Sequence, residues 1–337
     1  MTQSVRQSII FAKRPTGAIT DDTFAVRSSP MPEPGPGEVL TRTLWLSIDP
    51  YMRGRLNEAP TYTTGTPLGS VMTGETIGEV VASAHPGFAP GDIVAGAFGW
   101  ETHILCNGDM LTSLPRDGAP LSTYLGVLGM PGTTAYSGMK DIGQPQAGET
   151  VVISAASGPV GATAGQIAKR AGARVIGIAG GPEKCRWVTE TARFDACLDH
   201  RGDLEAQLDE ACPHGIDVYF ENVGGAVQAA ILKRLNTHAR VPVCGLVAQY
   251  DDPDPRPVLN LNLLLYKRAR FEGFIVGDKP GRFAEWRTLA APLVASGELR
   301  YREEIVDGLE NASAALRGQL AGRNLSLIHI SEPTRPY

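Results

Sequence analysis

The feature that most constrains this sequence is a small-residue turn between an apolar strand and a helix. Residues 151–154 are typical of a buried strand, Ala156-x-Gly158-x-x-Gly161 follows, and the pattern predicts a helix over 160–171. Gly158 would let a pyrophosphate approach the backbone, and Gly161 would let helix and strand pack closely. The free N–H groups of the helix N-terminus favour an anion. The turn therefore predicts a dinucleotide site, with a tight turn that binds no ligand as the alternative.

The turn begins a long alternation of strands and helices. The sequence predicts strands at 151–154, 174–179, 196–199, 216–221, 239–244 and 271–276, and helices at 160–171, 183–191, 204–212, 226–235 and 283–296. Such alternation indicates βαβ units around a parallel sheet. The first 120 residues instead hold short apolar segments separated by Pro-Gly turns, which predict a small barrel or sandwich. With 337 residues, two domains are expected.

The second predicted strand indicates which dinucleotide would bind. An NAD site calls for an acidic residue about 20 residues after the turn, which holds the ribose hydroxyls. The strand at 174–179 ends in Gly180-Gly181 without an acid, and Lys184 and Arg186 follow. This arrangement suits a 2′-phosphate, so NADPH is favoured over NADH. The alternative is that both cations lie on a solvated helical turn.

Composition excludes several classes of protein. A net charge of −5 without a basic stripe argues against nucleic acid or an anionic membrane as the partner. The five cysteines form no C-x-x-C pair, which favours reduced thiols over a disulfide framework or a zinc knuckle. The charged first 17 residues do not resemble a signal peptide, and no apolar run is long enough to span a membrane. We expect a cytoplasmic protein.

No metal site is expected. Residues 72–78 look like the G-H-E-x-x-G stretch of zinc alcohol dehydrogenases, but Gly74 stands where that stretch has histidine. His103 and Cys106 have no partner motif, and a catalytic zinc needs three side-chain ligands. Hydrogen-bond donors would then have to polarise a substrate carbonyl. Tyr250, just past a predicted strand end, and Tyr51 are the candidates, although packing with an exposed hydroxyl is the alternative for each.

Several segments together resemble one family. They are residues 130–136, 155–161, 220–225 and 301–311, and the similarity extends from about residue 9 to Asn324. The chain resembles the zinc-independent medium-chain dehydrogenase/reductases, in the branch of prostaglandin and leukotriene B4 reductases and of bacterial curcumin and alkenal reductases. The resemblance implies a Rossmann doubly wound sheet at 126–298 and a GroES-like β-barrel catalytic domain at 1–125, completed by 299–325.

The resemblance also implies an activity and a site. NADPH would reduce the C=C bond of α,β-unsaturated ketones or aldehydes, and Tyr250, with Tyr51, would stabilise the enolate. The cofactor-binding residues implied by matching positions are Gly158, Val160, Gly161, Lys184, His200, Asn222, Cys244, Gly245, Tyr250, Phe274, Ile275, Val276 and Asn324. His200 stands where the family usually has tyrosine. Homodimers are expected. A quinone reductase and a non-catalytic NADPH-binding protein are the alternatives.

The chain departs from the family after Asn324. Residues 326–337 contain two prolines and no sustained alternation, which makes a poor terminal strand. The run looks like translated sequencing adapter, so we expect a non-native tail and a barrel without its closing strand. A flexible native tail is the alternative.

Overall fold

The computed structural model describes residues 5–58, 62, 64–116, 118–252 and 258–331. They form two compact units, with boundaries after Leu125 and after Arg302. Gly126–Arg302 forms the parallel-sheet unit, and the described residues on either side of it form the antiparallel-sheet unit. The predicted α/β class is confirmed.

The parallel-sheet unit is a six-stranded sheet with helices between its strands. Its strands are β8 (Thr150–Ser154), β9 (Arg174–Ala179), β10 (Ala196–Asp199), β11 (Ile216–Phe220), β12 (Leu235–Val243) and β13 (Arg270–Gly273). Its helices are α1 (Met130–Ser137), α2 (Pro159–Arg170), α3 (Pro182–Glu190), α4 (Leu204–Ala211), α5 (Gly225–Leu232), α6 (Leu261–Lys267) and α7 (Gly281–Ala295). All pairings are parallel, in the order β10-β9-β8-β11-β12-β13. This is the order of the doubly wound dinucleotide-binding fold, which confirms the predicted Rossmann sheet.

Local signals explain where the first helices of this unit begin and end. α2 and α3 each have proline in the first turn, where no N–H is needed. Gly172, at φ 83°, follows α2, and the left-handed conformation there favours glycine. All five residues of β8 are buried, as expected for a strand covered on both faces.

Two predicted elements differ from the structure. Leu235 begins β12 and does not end the preceding helix, because Ile216 of β11 pairs with it and donates its N–H to the carbonyl of Arg234 at 2.9 Å. β13 ends at Gly273, so the predicted strand over 271–276 is too long: Val276–Asp278 is a short 3-10 helix.

In its described residues, the antiparallel-sheet unit holds a hairpin, a seven-stranded sheet, one α-helix and five short 3-10 helices. The hairpin pairs β1 (Val5–Phe11) with β2 (Phe24–Pro30). The sheet contains β3 (Glu38–Ile48), β4 (Glu75–Ser83), β5 (Ile93–Ala97), β6 (His103–Asn107), β7 (Thr112–Ser113), β14 (Glu303–Asp307) and β15 (Leu327–Ser331), and the helix is α8 (Ala312–Leu320). Its order is β14-β15-β3-β4-β5-β7, with β6 also paired to β3.

The expectation that no strand follows residue 325 is wrong. β15 pairs with β14 in parallel and with β3 antiparallel, and Leu327, Ile328 and Ile330 are all buried. The first four residues of β15 are buried, so both faces of the strand are covered and no alternation is needed, and both prolines come after its last residue. The sheet therefore has a strand at this place, whatever the origin of residues 326–337, which stays a prediction.

No helix in the described part of the chain is both long and apolar enough to cross a bilayer.

Candidate functional site

The turn after β8 forms a close backbone contact between strand and helix. Ala155 adopts φ 49°, and Gly158 is the N-cap of α2. A Cβ on Gly161 would lie 2.4 Å from the carbonyl oxygen of Ala155, so no other residue fits without moving the backbone. A Cβ on Gly158 would lie 3.3 Å from the same oxygen. The turn thus leaves the N-terminus of a 12-residue helix uncovered by side chains of its own, which is what an approaching phosphate requires.

Hydrogen bonds join the ends of β8 and β11 beside this turn. The side-chain amide of Asn222 donates to the carbonyl of Ser154 at 2.8 Å, and its main-chain N–H donates to Ser154 Oγ at 2.9 Å. The predicted residue Asn222 therefore lies next to the glycine turn. Parallel strands bring their carboxyl ends to one edge of the sheet, which is where ligands bind in such folds.

A buried carboxylate organises the segment that follows β11. Glu221 Oε1 accepts hydrogen bonds from the Tyr219 hydroxyl at 2.7 Å, the Val223 N–H at 2.8 Å and the Gly224 N–H at 2.9 Å. Burial raises the pKa of Glu221, and these hydrogen bonds oppose that rise. The sequence did not predict that Glu221 positions this segment, although it begins the Glu-Asn-Val-Gly-Gly stretch that resembles the family.

The side chains of His200 and Arg201 lie close to the tip of β9, Gly180-Gly181. Nε2 of His200 would lie 2.8 Å from a Cβ on Gly180, and Nη1 of Arg201 would lie 2.9 Å from a Cβ on Gly181. Asp199 Oδ1 accepts from the N–H of Gly181 at 2.9 Å and of Arg201 at 3.0 Å. Lys184 lies in the first turn of α3, directly after this tip. Arg201 was not predicted as a site residue. It stands two residues after the end of β10, just as Gly181 stands two residues after the end of β9.

The segment after β12 returns toward Asn222. The N–H groups of Cys244 and Gly245 donate to the carbonyl of Glu221 at 2.9 and 3.1 Å. The Tyr250 hydroxyl would lie 3.2 Å from a Cβ on Gly245. Burial raises the pKa of the Cys244 thiol to about 12, so this thiol is not a nucleophile near neutral pH. The predicted residues Asn222, Gly245 and Tyr250 are thus neighbours.

The predicted residues 274–276 follow β13 at the same edge of the sheet. The ring of Phe274 packs edge-on against Phe220, with centroids 6.4 Å apart. Asn324 belongs to the antiparallel-sheet unit, where its side-chain amide donates to the carbonyl of Ser326. Val160 is in the first turn of α2. The roles of these residues in binding stay predictions.

Tyr51 lies in the antiparallel-sheet unit among charged groups. Burial, and then the carboxylates of Asp49 and Glu75, raise the pKa of its hydroxyl well above the usual value. The guanidinium carbon of Arg55 lies 5.1 Å from the centroid of its ring. Burial raises the pKa of Asp49 to about 6, against a hydrogen bond from Ser47 Oγ at 2.6 Å. The Tyr51 hydroxyl therefore stays protonated near neutral pH and can act as a hydrogen-bond donor.

The position that zinc enzymes give to histidine has no room for a side chain here. A Cβ on Gly74 would lie 2.9 Å from both Leu46 Cδ1 and Trp100 Nε1. His103 and Cys106 are three residues apart on β6, so their side chains point to opposite faces. No group of three or more His, Cys, Asp or Glu that could hold a metal occurs among the described residues.

Comparison with known proteins gives consistent similarities. Residues 7–114 match a family model for the N-terminal domain of oxidoreductases, and residues 159–296 match one described as zinc-binding dehydrogenase. The chain is 48% identical to an NADPH-dependent curcumin reductase of Escherichia coli over 95% of both chains. It is 38% identical to rat prostaglandin reductase 1, over 92% of this chain and 94% of that protein. The crystal structure of CurA from Vibrio vulnificus with NADPH is 43% identical, with a TM-score of 0.93 over 98% of this chain and 100% of that one.

Proposed function

Because the chain belongs to the zinc-independent branch of the medium-chain dehydrogenase/reductase family, we propose that it is an NADPH-dependent reductase of the C=C bond in α,β-unsaturated ketones and aldehydes. One observation in the molecule carries this proposal. The glycine turn before α2 and the tip at Gly180-Gly181, which has no acidic residue of its own, lie after adjacent strands, β8 and β9. A pyrophosphate and a 2′-phosphate could therefore both bind along the same edge of the sheet.

The residues present fit NADPH. Gly158 and Gly161 keep side chains away from the N-terminus of α2, which would hold the pyrophosphate. Lys184 would bind the 2′-phosphate, with His200 at the same tip. Asn222, Gly245 and residues 274–276 would lie along the nicotinamide. When bound, the cofactor supplies the hydride that reduces the β-carbon of the substrate.

In the mechanism we propose, the chain stabilises the charge that develops on the substrate carbonyl. Tyr250 would donate a hydrogen bond to this oxygen as it becomes an enolate. Tyr51 is proposed as a second donor, on the family resemblance and on its protonated hydroxyl. The α-carbon then takes a proton from solvent or from a tyrosine.

The test is NADPH oxidation with a panel of enones, alkenals and quinones, with NADH as the comparison. We expect turnover on enones or alkenals, a saturated carbonyl product and a clear preference for NADPH. Turnover on quinones alone would indicate a quinone reductase. Binding of NADPH without turnover of any member would indicate a non-catalytic protein. Either result contradicts the proposal.

We also propose a homodimer formed at the β13 edge of the parallel sheet. Among the described strands, β13 pairs only with β12, which leaves an edge open to a second copy. Leu261 and Leu265 lie one turn apart on α6 and are 74% and 69% exposed. Light scattering of Leu265→Asp should show a monomer, whereas Leu289→Asp on α7 should leave the dimer unchanged. A monomeric wild-type chain contradicts this proposal.

The proposed location is the cytoplasm, because all five cysteines are free. Cell fractionation tests it, and recovery of the protein in an oxidising compartment would contradict it.

A further inference from the structure

The guanidinium group of Arg201 lies directly over the tip of β9. A Cβ on Gly181 would be 2.9 Å from Nη1, and one on Gly180 would be 3.4 Å from Nε. The two glycines therefore leave a space that this side chain occupies, and a larger residue at either position would displace it. We propose that Arg201 binds the ribose 2′-phosphate together with Lys184 and contributes to the preference for NADPH over NADH, an inference that rests on the proposed function.

The backbone on both sides of the tip is held in place. Oδ1 of Asp199 accepts hydrogen bonds from the N–H groups of Gly181 and of Arg201, at 2.9 and 3.0 Å. One carboxylate oxygen thus ties the end of β9 to the first residues after β10. This link fixes the backbone of Arg201 relative to the tip, so less conformational entropy is lost when a phosphate binds.

The chemistry of arginine suits this position. Its planar group offers several N–H donors and can hold two phosphate oxygens at once, whereas a lysine acts as a point charge. His200 adds a ring nitrogen at the same tip, where a Cβ on Gly180 would be 2.8 Å from Nε2. A 2′-phosphate at the tip would therefore meet two side chains from the segment after β10. A ribose with a free 2′-hydroxyl has no charge for Arg201 to pair with, so the side chain discriminates between the two cofactors.

Arg27 provides a matched control. It carries the same charge on β2, in the antiparallel-sheet unit, and is exposed. Substitution of either arginine by alanine changes the net charge equally. Only a contact at the tip, and not general attraction to an anion, would make Arg201 differ from Arg27.

The experiment is calorimetric titration of the full-length protein with 2′,5′-ADP and with 5′-ADP, which needs no enone and no turnover. We expect Arg201→Ala to weaken 2′,5′-ADP binding by about 10- to 100-fold, as for loss of a charged hydrogen-bonded contact. Binding of 5′-ADP should stay within about twofold. Arg201→Lys should fall between Arg201→Ala and the wild type, and Arg27→Ala should resemble the wild type. In turnover, KM for NADPH should rise while kcat at saturation and KM for NADH stay unchanged.

Unaltered 2′,5′-ADP binding in Arg201→Ala, or an equal loss in Arg27→Ala, overturns the inference. A wild-type protein that binds both nucleotides equally overturns it together with the proposed NADPH preference. If the wild type prefers 2′,5′-ADP through Arg201 but reduces no enone, the inference stands and the proposed reaction fails. Because Arg201 is exposed, an unchanged melting temperature should show that the variants fold.

Discussion

The side-chain amide of Asn222 donates a 2.8 Å hydrogen bond to the carbonyl of Ser154, joining the ends of β11 and β8. Asn222→Asp replaces this donor with an acceptor that faces another oxygen. We expect NADPH binding to weaken by about 5- to 100-fold, because a buried carbonyl loses its partner and a negative charge is placed beside the phosphate turn. Fluorescence titration with NADPH measures this effect. The exposed Asn262→Asp is the matched control, and equal affinities for the two variants would refute the role of Asn222.

The two glycines of the turn should respond differently to the same substitution. Gly161→Ala places a Cβ 2.4 Å from the Ala155 oxygen, so we expect a loss of about 1–3 kcal/mol in the free energy of unfolding. Gly158→Ala, at 3.3 Å and with φ −72°, should fold almost normally but bind NADPH more weakly. Urea unfolding and NADPH titration of both variants separate these effects. Equal free energies of unfolding for the two variants would show that the close approach at Gly161 does not limit stability.

Much of the parallel sheet could be predicted from the sequence. The bounds of β9 and β10 agree to the residue with the predicted strands, because short apolar runs there are bounded by glycine and charged residues. Arg201 and Glu221 were missed as site residues because their positions depend on which strands are neighbours. β15 was not predicted because residues 326–337 show no sustained alternation, whereas its burial on both faces and its pairing with β14 and β3 depend on the tertiary structure. These differences arise from tertiary pairing, which local patterns do not encode.

Tyr250 is predicted to line the cofactor site, and its hydroxyl is predicted to act in catalysis. Tyr250→Phe removes the proposed donor to the enolate oxygen, and loss of one such donor costs about 3–4 kcal/mol of barrier, or 10²- to 10³-fold in kcat. NADPH affinity should stay nearly unchanged, because the phosphates bind elsewhere. Steady-state kinetics with an enone, together with NADPH titration, measures both quantities. The exposed Tyr266→Phe is the control, and a wild-type kcat in Tyr250→Phe would remove this residue from the mechanism.

Asp49 should make stability fall as pH rises. Burial raises its pKa from 3.8 to about 6, so the folded state holds the proton more tightly than the unfolded chain does. The folded state therefore loses stability between about pH 4 and pH 6, by about 3 kcal/mol at 1.36 kcal/mol per pH unit. Asn at this position can still accept the Ser47 hydrogen bond and does not ionise. The difference in unfolding free energy between Asp49→Asn and wild type should therefore move in favour of the variant as pH rises from 4 to 7. A difference that is constant with pH would mean that Asp49 has an ordinary pKa.

The last strand should be essential for stability although the sequence after residue 325 departs from the family. Ending the chain after Ser326 removes the buried side chains of Leu327, Ile328 and Ile330 and leaves both β14 and β3 without the strand that pairs with them. At about 1.5–3 kcal/mol for each side chain, this loss approaches the 5–15 kcal/mol that stabilises a typical protein, so we expect an insoluble or unfolded product. Ending the chain after Ser331 keeps β15 and should leave the melting temperature unchanged. Equal melting temperatures for the two truncated chains would show that β15 contributes nothing to the fold.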